Sequence, residues 1–312
     1  MSGGYVYVKK AMAGAVIVAV AVIWQGIGTA VVGMRVAPEL STFTTFSAFL
    51  IAAVLSTIGY FAVKQRKAGV HTGNDVEVPG PTKSQRIKSA LSLNLFSAGA
   101  FCLFYIAATM IQPTAASVIE TGIGPFVVAV LLALTAKRIN STLIPTFAIV
   151  ALAFAFFFIG DISAMGETYA GVLLAIGAGI SAVGVLYSSR WASSQGLGVL
   201  TIAAIRFHLA WILSGLVAFA SVDLTQLQGN VGQLIMLSTL CITLPILLLQ
   251  WGVILAPPFI SALILAMLPA MVMATETLLG STTNPVQLML LVLIVVITMG
   301  QAIHGTRQSK KG

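Results

Sequence analysis

The chain has 312 residues, 58% hydrophobic and only 8% charged, with a formal net charge of +8. A soluble domain carries roughly a quarter charged residues, so the composition excludes one and points to an integral membrane protein. Nucleic acid is excluded as the reason for the positive charge, because the cations fall between apolar runs and form no patch interleaved with aromatics.

Ten apolar runs follow in order, approximately 11–33, 43–63, 89–110, 114–136, 142–160, 168–188, 198–220, 231–254, 257–279 and 285–304. Nearly all are long enough to cross a hydrocarbon core of about 30 Å as helices. They are continuous and lack period-two alternation, which argues against a barrel. The first run follows Lys9 and Lys10, as a signal peptide would. It is longer than the roughly 7–15 apolar residues of a signal core and reads as an uncleaved helix.

The positive-inside rule sets the orientation. With residues 1–10 in the cytoplasm, fourteen of the sixteen Lys and Arg residues fall inside; Arg35 falls outside and Arg206 within a helix. Glu39, Asp161, Glu167 and Asp223 then fall at the outer face. The hydrophilic loop 64–88, with Pro79-Gly80-Pro81, reads as a cytoplasmic tether. The tail 307–312 is cytoplasmic too, and the expected location is the cell inner membrane.

The fourth and ninth runs repeat one another. Aligning Pro113 with Pro257 also aligns Ser117 with Ser261 and Pro125 with Pro269. The repeat unit is therefore five helices, an odd number, so the second unit inserts upside down. The expected fold is an all-α membrane protein of ten transmembrane helices in two inverted five-helix repeats, 11–160 and 161–306. This design recurs in secondary transporters.

Glu120 is the leading functional candidate. The repeat sets Ile264 opposite it, and the acid reads as solitary. Ser117, Thr121 and Gly124 give it a small, polar helix face. An intramembrane carboxylate is a functional hypothesis by default: it pairs with a substrate ammonium or exchanges a proton. The alternative is a structural carboxyl bonded to a neighbouring helix. Arg206 sits about 12 Å from the cytoplasmic side and Glu120 about 10 Å from the outer side, counting about 1.5 Å per residue. A pair between them stays open, as does snorkelling of Arg206. His208 reads as packed or lipid-facing.

Trp24, Gln25, Tyr105 and Gln250 are candidate cavity-lining groups, with interfacial anchoring the alternative for Tyr105 and for Trp251. Gln250 needs a partner if buried. Pro113, Pro125, Pro257 and Pro269 are candidate hinges, with static kinks the alternative; Pro245 and Pro258 also lie within or beside the runs. The small-residue run 177–184 reads as close helix packing. Cys102 and Cys241 read as buried apolar residues. No metal-ligand cluster, nucleotide loop or carboxylate pair suggests an enzyme or a cofactor.

Several of these residues resemble the EamA-like branch of the drug/metabolite transporter superfamily. Ile23-Trp24-Gln25-Gly26 is similar to the family's Trp-Gly in helix one, and Arg206-Phe207-His208-Leu209-Ala210 to its Arg-Phe-x-x-Ala in helix seven. Ala116–Leu134 and Ser261–Gly280 resemble its proline-centred helices, and Gly300 a glycine late in helix ten. Ala48-Phe49 departs from Arg-Phe in the first half, and Ala136-Lys137 and Gly280-Ser281 stand where Gly-Glu often does. The resemblance implies a proton-coupled or exchange-type carrier, often an exporter of amino acids or amines. It implies a cavity lined by helices one, three, four, six, eight and nine.

The expected function is therefore secondary active transport of a small polar metabolite by alternating access, with export the expected direction. The alternative is a lipid flippase subunit or lipid-modifying membrane protein. The expected partners are the small-molecule substrate, a coupling proton, membrane lipids and a second copy of the chain; nucleic acid is not among them.

Overall fold

The computed structural model describes residues 2–68, 82–137, 143–160, 167–221, 227, 229–256 and 258–309, and among these there is no strand. The helices are α1 Ser2–Arg35, α2 Pro38–Ala68, α3 Lys83–Met110, α4 Pro113–Ala136, α5 Leu143–Gly160, α6 Glu167–Ser194, α7 Val199–Arg206 and α8 His208–Ser221. After them come α9 Val231–Leu237, a π-helical turn Ser238–Thr243, α10 Leu244–Leu255, α11 Pro258–Leu265, α12 Leu268–Leu278 and α13 Pro285–Ser309. Pro79-Gly80-Pro81 and Pro257 lie outside the described residues.

Among the described residues, eight stretches are long and apolar enough to cross a membrane. The chain is a multi-pass, all-α membrane protein. Its outer surface agrees: Leu91, Leu134, Ile144, Leu173 and Leu278 are each at least 67% exposed, a pattern that lipid covers and water would not tolerate. The interior is built of small residues, among them Ala21, Ala30, Ala48, Ala107, Ala116 and Ala178. Small residues let backbones approach closely where no hydrophobic effect separates helix from lipid.

Buried hydroxyls are mostly satisfied within their own helix. Thr45 donates to the Ser41 carbonyl at 2.7 Å, Ser56 to Ala52 at 2.7 Å and Ser214 to Ala210 at 2.6 Å. Such back-bonding removes the cost of an unpaired donor in an apolar surround. The α3 start has a capping box: Thr82 Oγ1 accepts from Gln85 N at 3.3 Å, and Gln85 Oε1 accepts from Thr82 N at 2.8 Å.

Cross-helix contacts fix the helix directions. Gly14 meets Ala256, and Gly252 meets Val18, so α1 and α10 run antiparallel. Gly26 meets Met271 and Met34 receives Ser281, so α1 and α12 run parallel. In α6, Gly177 faces Leu103, Gly184 faces Phe96, and a methyl on Gly179 would stand 2.7 Å from the Glu120 carbonyl oxygen. The run 177–184 thus serves close packing of α6 on α3 and α4. The exposed cations Lys64, Lys83, Arg86, Lys88, Lys137 and Arg190 lie toward one end of the bundle, its basic end. The Pro113 end of α4 lies at the far end.

The second half of the chain is broken where the first is continuous. Pro245 offers no N–H to the Cys241 carbonyl four residues earlier, and the π turn directly precedes it, with Leu244 N bonded to Thr239 O. Pro269 likewise removes the donor for the Leu265 carbonyl, where α11 ends. Met267 N then bonds Ile264 O at 3.0 Å, and α12 restarts with Pro269 in its first turn. Pro125 differs: α4 runs through it without a break, so the hinge expected there is not a division of the helix. The neighbours of Gly122 and Gly124, on α5 and α6, hold this part of α4 on both sides.

The break between α7 and α8 has another cause. Regular geometry would bond Leu209 N–H to the Ile205 carbonyl. The Asn94 side chain of α3 takes both places: its Nδ2 donates to Ile205 O at 2.7 Å and its Oδ1 accepts from Leu209 N at 2.8 Å. An inserted side chain is a standard cause of a helix kink. Replacing Asn94 by Ala leaves both backbone groups unpaired, and we expect a loss of about 1–3 kcal/mol. Asn94→Asp, which keeps only the acceptor, should lose less. Equilibrium unfolding in mixed micelles checks this; an unchanged midpoint for Asn94→Ala would contradict it.

Candidate functional site

Glu120 stands about 10 Å along α4 from its Pro113 end, counting about 1.5 Å per residue. Its side chain is half-buried, and no hydrogen bond or ion pair holds its carboxylate among the described residues. Tyr105 of α3 lies within electrostatic reach of it, beside Thr29 of α1 and Cys241 of the π turn. Tyr105 is 1% exposed, which removes interfacial anchoring as its role. The Ser117 hydroxyl and the Gln25 Oε1 are buried without a hydrogen-bond partner, and the Tyr105 and Thr29 hydroxyls have none but each other. Buried polar atoms are satisfied in the great majority of cases. These groups near one unpaired carboxylate form an oxygen-rich region able to accept and, through its hydroxyls, to donate.

Local sequence explains how the site is assembled. Gly28 brings α1 against the Cys241 carbonyl, where a side chain would overlap the oxygen. Thr29, the next residue, is thereby set beside Tyr105. The π turn is held in turn by α2: Ser238 Oγ donates to Thr44 O at 2.9 Å and Thr243 Oγ1 to Ala48 O at 2.8 Å. π turns occur frequently at functional sites.

Arg206 belongs to a second group. It is 6% exposed and does not snorkel. Its Nε donates to Ser97 Oγ at 3.2 Å and one terminal nitrogen to Gln250 Oε1 at 2.5 Å. Phe101 and Phe207 lie 5.4 and 5.1 Å from its guanidinium carbon, at cation–π range. Gln250 thus has the partner that a buried amide needs. No carboxylate reaches Arg206 among the described residues, and it does not pair with Glu120.

The remaining candidates divide. Trp24 is half-buried, Trp251 is 65% exposed and His208 is exposed, accepting from Trp211 Nε1 at 3.4 Å. The Thr121 hydroxyl is tied to Ser117 O at 2.7 Å. Ser261 is buried with its hydroxyl unpartnered. Pro113 occupies the first position of α4, close to Gly33 of α1. Cys102 and Cys241 are both half-buried free thiols, and Cys102 Sγ donates to Ala210 O at 3.5 Å.

The expectation of a solitary acid is overturned by Glu276. This carboxylate of α12 is 2% exposed and closes the far end of the bundle. The N-terminus of α4 has no side-chain cap of its own. Glu276 supplies one across the bundle: it accepts from the Thr114 hydroxyl, from Thr114 N at 3.4 Å and from Gln112 Nε2 at 3.4 Å. An anion at a helix N-terminus also meets the positive end of its dipole. Gln287 of α13 extends the network, donating to Gln112 Oε1 and to Phe156 O, each at 3.3 Å. The same signal that marks Glu120, an acid inside an apolar run, marks Glu276 in the run 257–279.

Glu276→Ala should destabilise the protein by about 1–3 kcal/mol by orphaning the Thr114 and Gln112 donors. A double-mutant cycle with Thr114→Val, read by unfolding in mixed micelles, should give a coupling of about 0.5–3 kcal/mol. Simple additivity would contradict the capping role. No protein-family model matches this chain, and no curated protein matches it.

Proposed function

We propose that the chain is a secondary carrier of the EamA-like type for a small polar metabolite bearing a cationic amine, resident in the cell inner membrane. The observation that carries this reading is the unpaired Glu120 carboxylate near the unpartnered Ser117 hydroxyl and Gln25 Oε1 and the Thr29–Tyr105 hydroxyl pair. A carboxylate held among apolar helices without a counter-charge is costly, and the carboxylate, the Gln25 Oε1 and the hydroxyl lone pairs can all accept from a ligand that donates. A protonated amine, or a coupling proton, is such a ligand.

The inverted repeat draws support from how the helices pair. Grouping α7 with α8, α9 with α10, and α11 with α12 gives ten rods. The first packs on the eighth and the third on the sixth; the fourth packs on the sixth and the first on the ninth. The second meets the seventh, the fourth the ninth and the fifth the tenth. Exchanging each rod with the one five places away maps these seven pairs onto themselves, as a five-helix duplication would, while the contacts of the first rod with the third and fourth, of the second with the third and of the sixth with the seventh have no such counterpart among the described residues. Phe49 and Phe207, matched by the Ala48-Phe49 and Arg206-Phe207 alignment, stack at 5.7 Å with 28° between their rings. Equivalent residues meet in this way near a two-fold axis.

In this reading the basic end faces the cytoplasm, in keeping with the positive-inside rule, and Glu276 with its partners forms the outer closure. Rocking of the blocks would break that network and open the Glu120 site outward, and the broken helices of the second half offer the deformable points. Export is the proposed direction.

Glu120→Gln keeps the shape and removes the charge. In proteoliposomes it should lower saturable counterflow of a primary-amine substrate at least about tenfold, the loss of one charge-assisted hydrogen bond of about 1.5–3 kcal/mol. Full saturable transport by the variant at every pH would remove Glu120 from the site.

A further inference from the structure

The Glu120 region holds more oxygen than one amine can serve. Its carboxylate has no partner among the described residues, and the Gln25 Oε1 has none either. The Thr29 and Tyr105 hydroxyls have only each other, and Tyr105 lies within electrostatic reach of both Glu120 and Cys241. A backbone group joins them. Pro245 cannot donate to the Cys241 carbonyl four residues earlier, so the π turn presents that oxygen without its regular helical donor. The oxygen faces α1 beside Thr29, where a methyl on Gly28 would overlap it. Gln25 stands one turn from Thr29 on the same helix. Helices α1, α3 and α4 and the π turn therefore each bring at least one oxygen to the region.

Size, charge and donor type specify what such a group holds. Thr29 is 0% and Tyr105 1% exposed, and α1 touches the π-turn backbone at Gly28, so the inner oxygens admit a bare ion or a water and no alkyl chain. One carboxylate balances one positive charge, whereas a divalent ion would keep a charge uncompensated in an apolar surround. A water fills the space but leaves the carboxylate unpaired. A proton cancels the charge but serves one oxygen alone. A monovalent metal cation does both, and released carbonyls of broken membrane helices are ligands for such ions in carriers.

We propose that a dehydrated alkali cation binds beside Glu120, with the Thr29 and Tyr105 hydroxyls and the Cys241 carbonyl as its further ligands, and that it competes with the substrate amine for the one carboxylate. This rests on the carrier reading and gives it a mode of coupling. Two cations that need the same carboxylate occupy it in turn, so the ion enters as the amine leaves. The chain is then a cation–amine exchanger, driven outward by an inward ion gradient.

The test compares sodium chloride with N-methyl-D-glucamine chloride at equal ionic strength on the purified full-length protein. Radioactive sodium should bind saturably, and sodium should raise the melting temperature by mass action; the organic cation should do neither. Glu120→Gln should abolish both effects. Thr29→Val keeps the side-chain shape, removes one ligand and should weaken sodium binding at least about tenfold. In proteoliposomes loaded with butylamine, sodium on the side of labelled butylamine should raise the KM of counterflow and leave its maximal rate unchanged. If Thr29→Val fails to fold, sodium binding to the unaltered protein and to Glu120→Gln decides. Sodium that does not bind, or that binds equally to Glu120→Gln, overturns the ion site; butylamine counterflow that still depends on Glu120 then leaves the amine carrier standing. Sodium that accelerates butylamine entry from its own side overturns the exchange. Sodium bound at Glu120 with no saturable amine flux overturns the carrier reading and the exchange with it.

Discussion

Within a hydrocarbon surround there is no water to satisfy a stray donor, acceptor or charge, so each must find its partner inside the bundle. Most of this structure meets that constraint. Serine and threonine hydroxyls fold back on their own helices. Asn94 takes up both backbone groups released where α7 gives way to α8. Glu276 caps a helix from the opposite half of the chain. Against that background one region stands out: the carboxylate of Glu120, the Ser117 hydroxyl and the Gln25 Oε1 have no partner, and the Thr29 and Tyr105 hydroxyls have only each other. Single unpartnered atoms also stand at Thr42, Ser89, Ser261 and Gln301, so the basis for assigning a ligand is the gathering of such groups near a carboxylate that has no partner.

The two halves differ in how firmly they are built. α2, α3 and α4 each run unbroken, whereas the second half of the chain is divided at Phe207, at the π turn and before Pro269. The breaks lie on the rods that carry Arg206, Cys241 and Glu276. The charged and carbonyl groups that would respond to a ligand therefore sit beside the joints. Released backbone groups within a membrane bundle are tolerable only where they line a protected interior.

The apolar runs were legible as helices because hydrophobic length alone dictates a span, and most observed boundaries fall within a few residues of the expected ones. Proline was less informative. The same residue leaves α4 whole at Pro125 and coincides with a break before Pro269. Asn94 and Glu276 were not legible as structural keystones, because their partners lie more than a hundred residues away. Tyr105 near a segment end suggested an interfacial ring, and only tertiary packing revealed it as a fully buried one. Glu120 needed no partner to be noticed, which is why the sequence alone singled it out.

Alternating exposure of the Glu120 site is the central claim, and paired spin-label distances test it most directly. One pair, at Met34 and Ser281, spans the far end of the bundle; the other, at Met12 and Trp251, spans the basic end. Adding a transported amine to protein in nanodiscs should shift the two distance distributions in opposite senses, one end closing as the other opens. Distributions that stay fixed at both ends, or that move together, would contradict two blocks rocking about a shared interior.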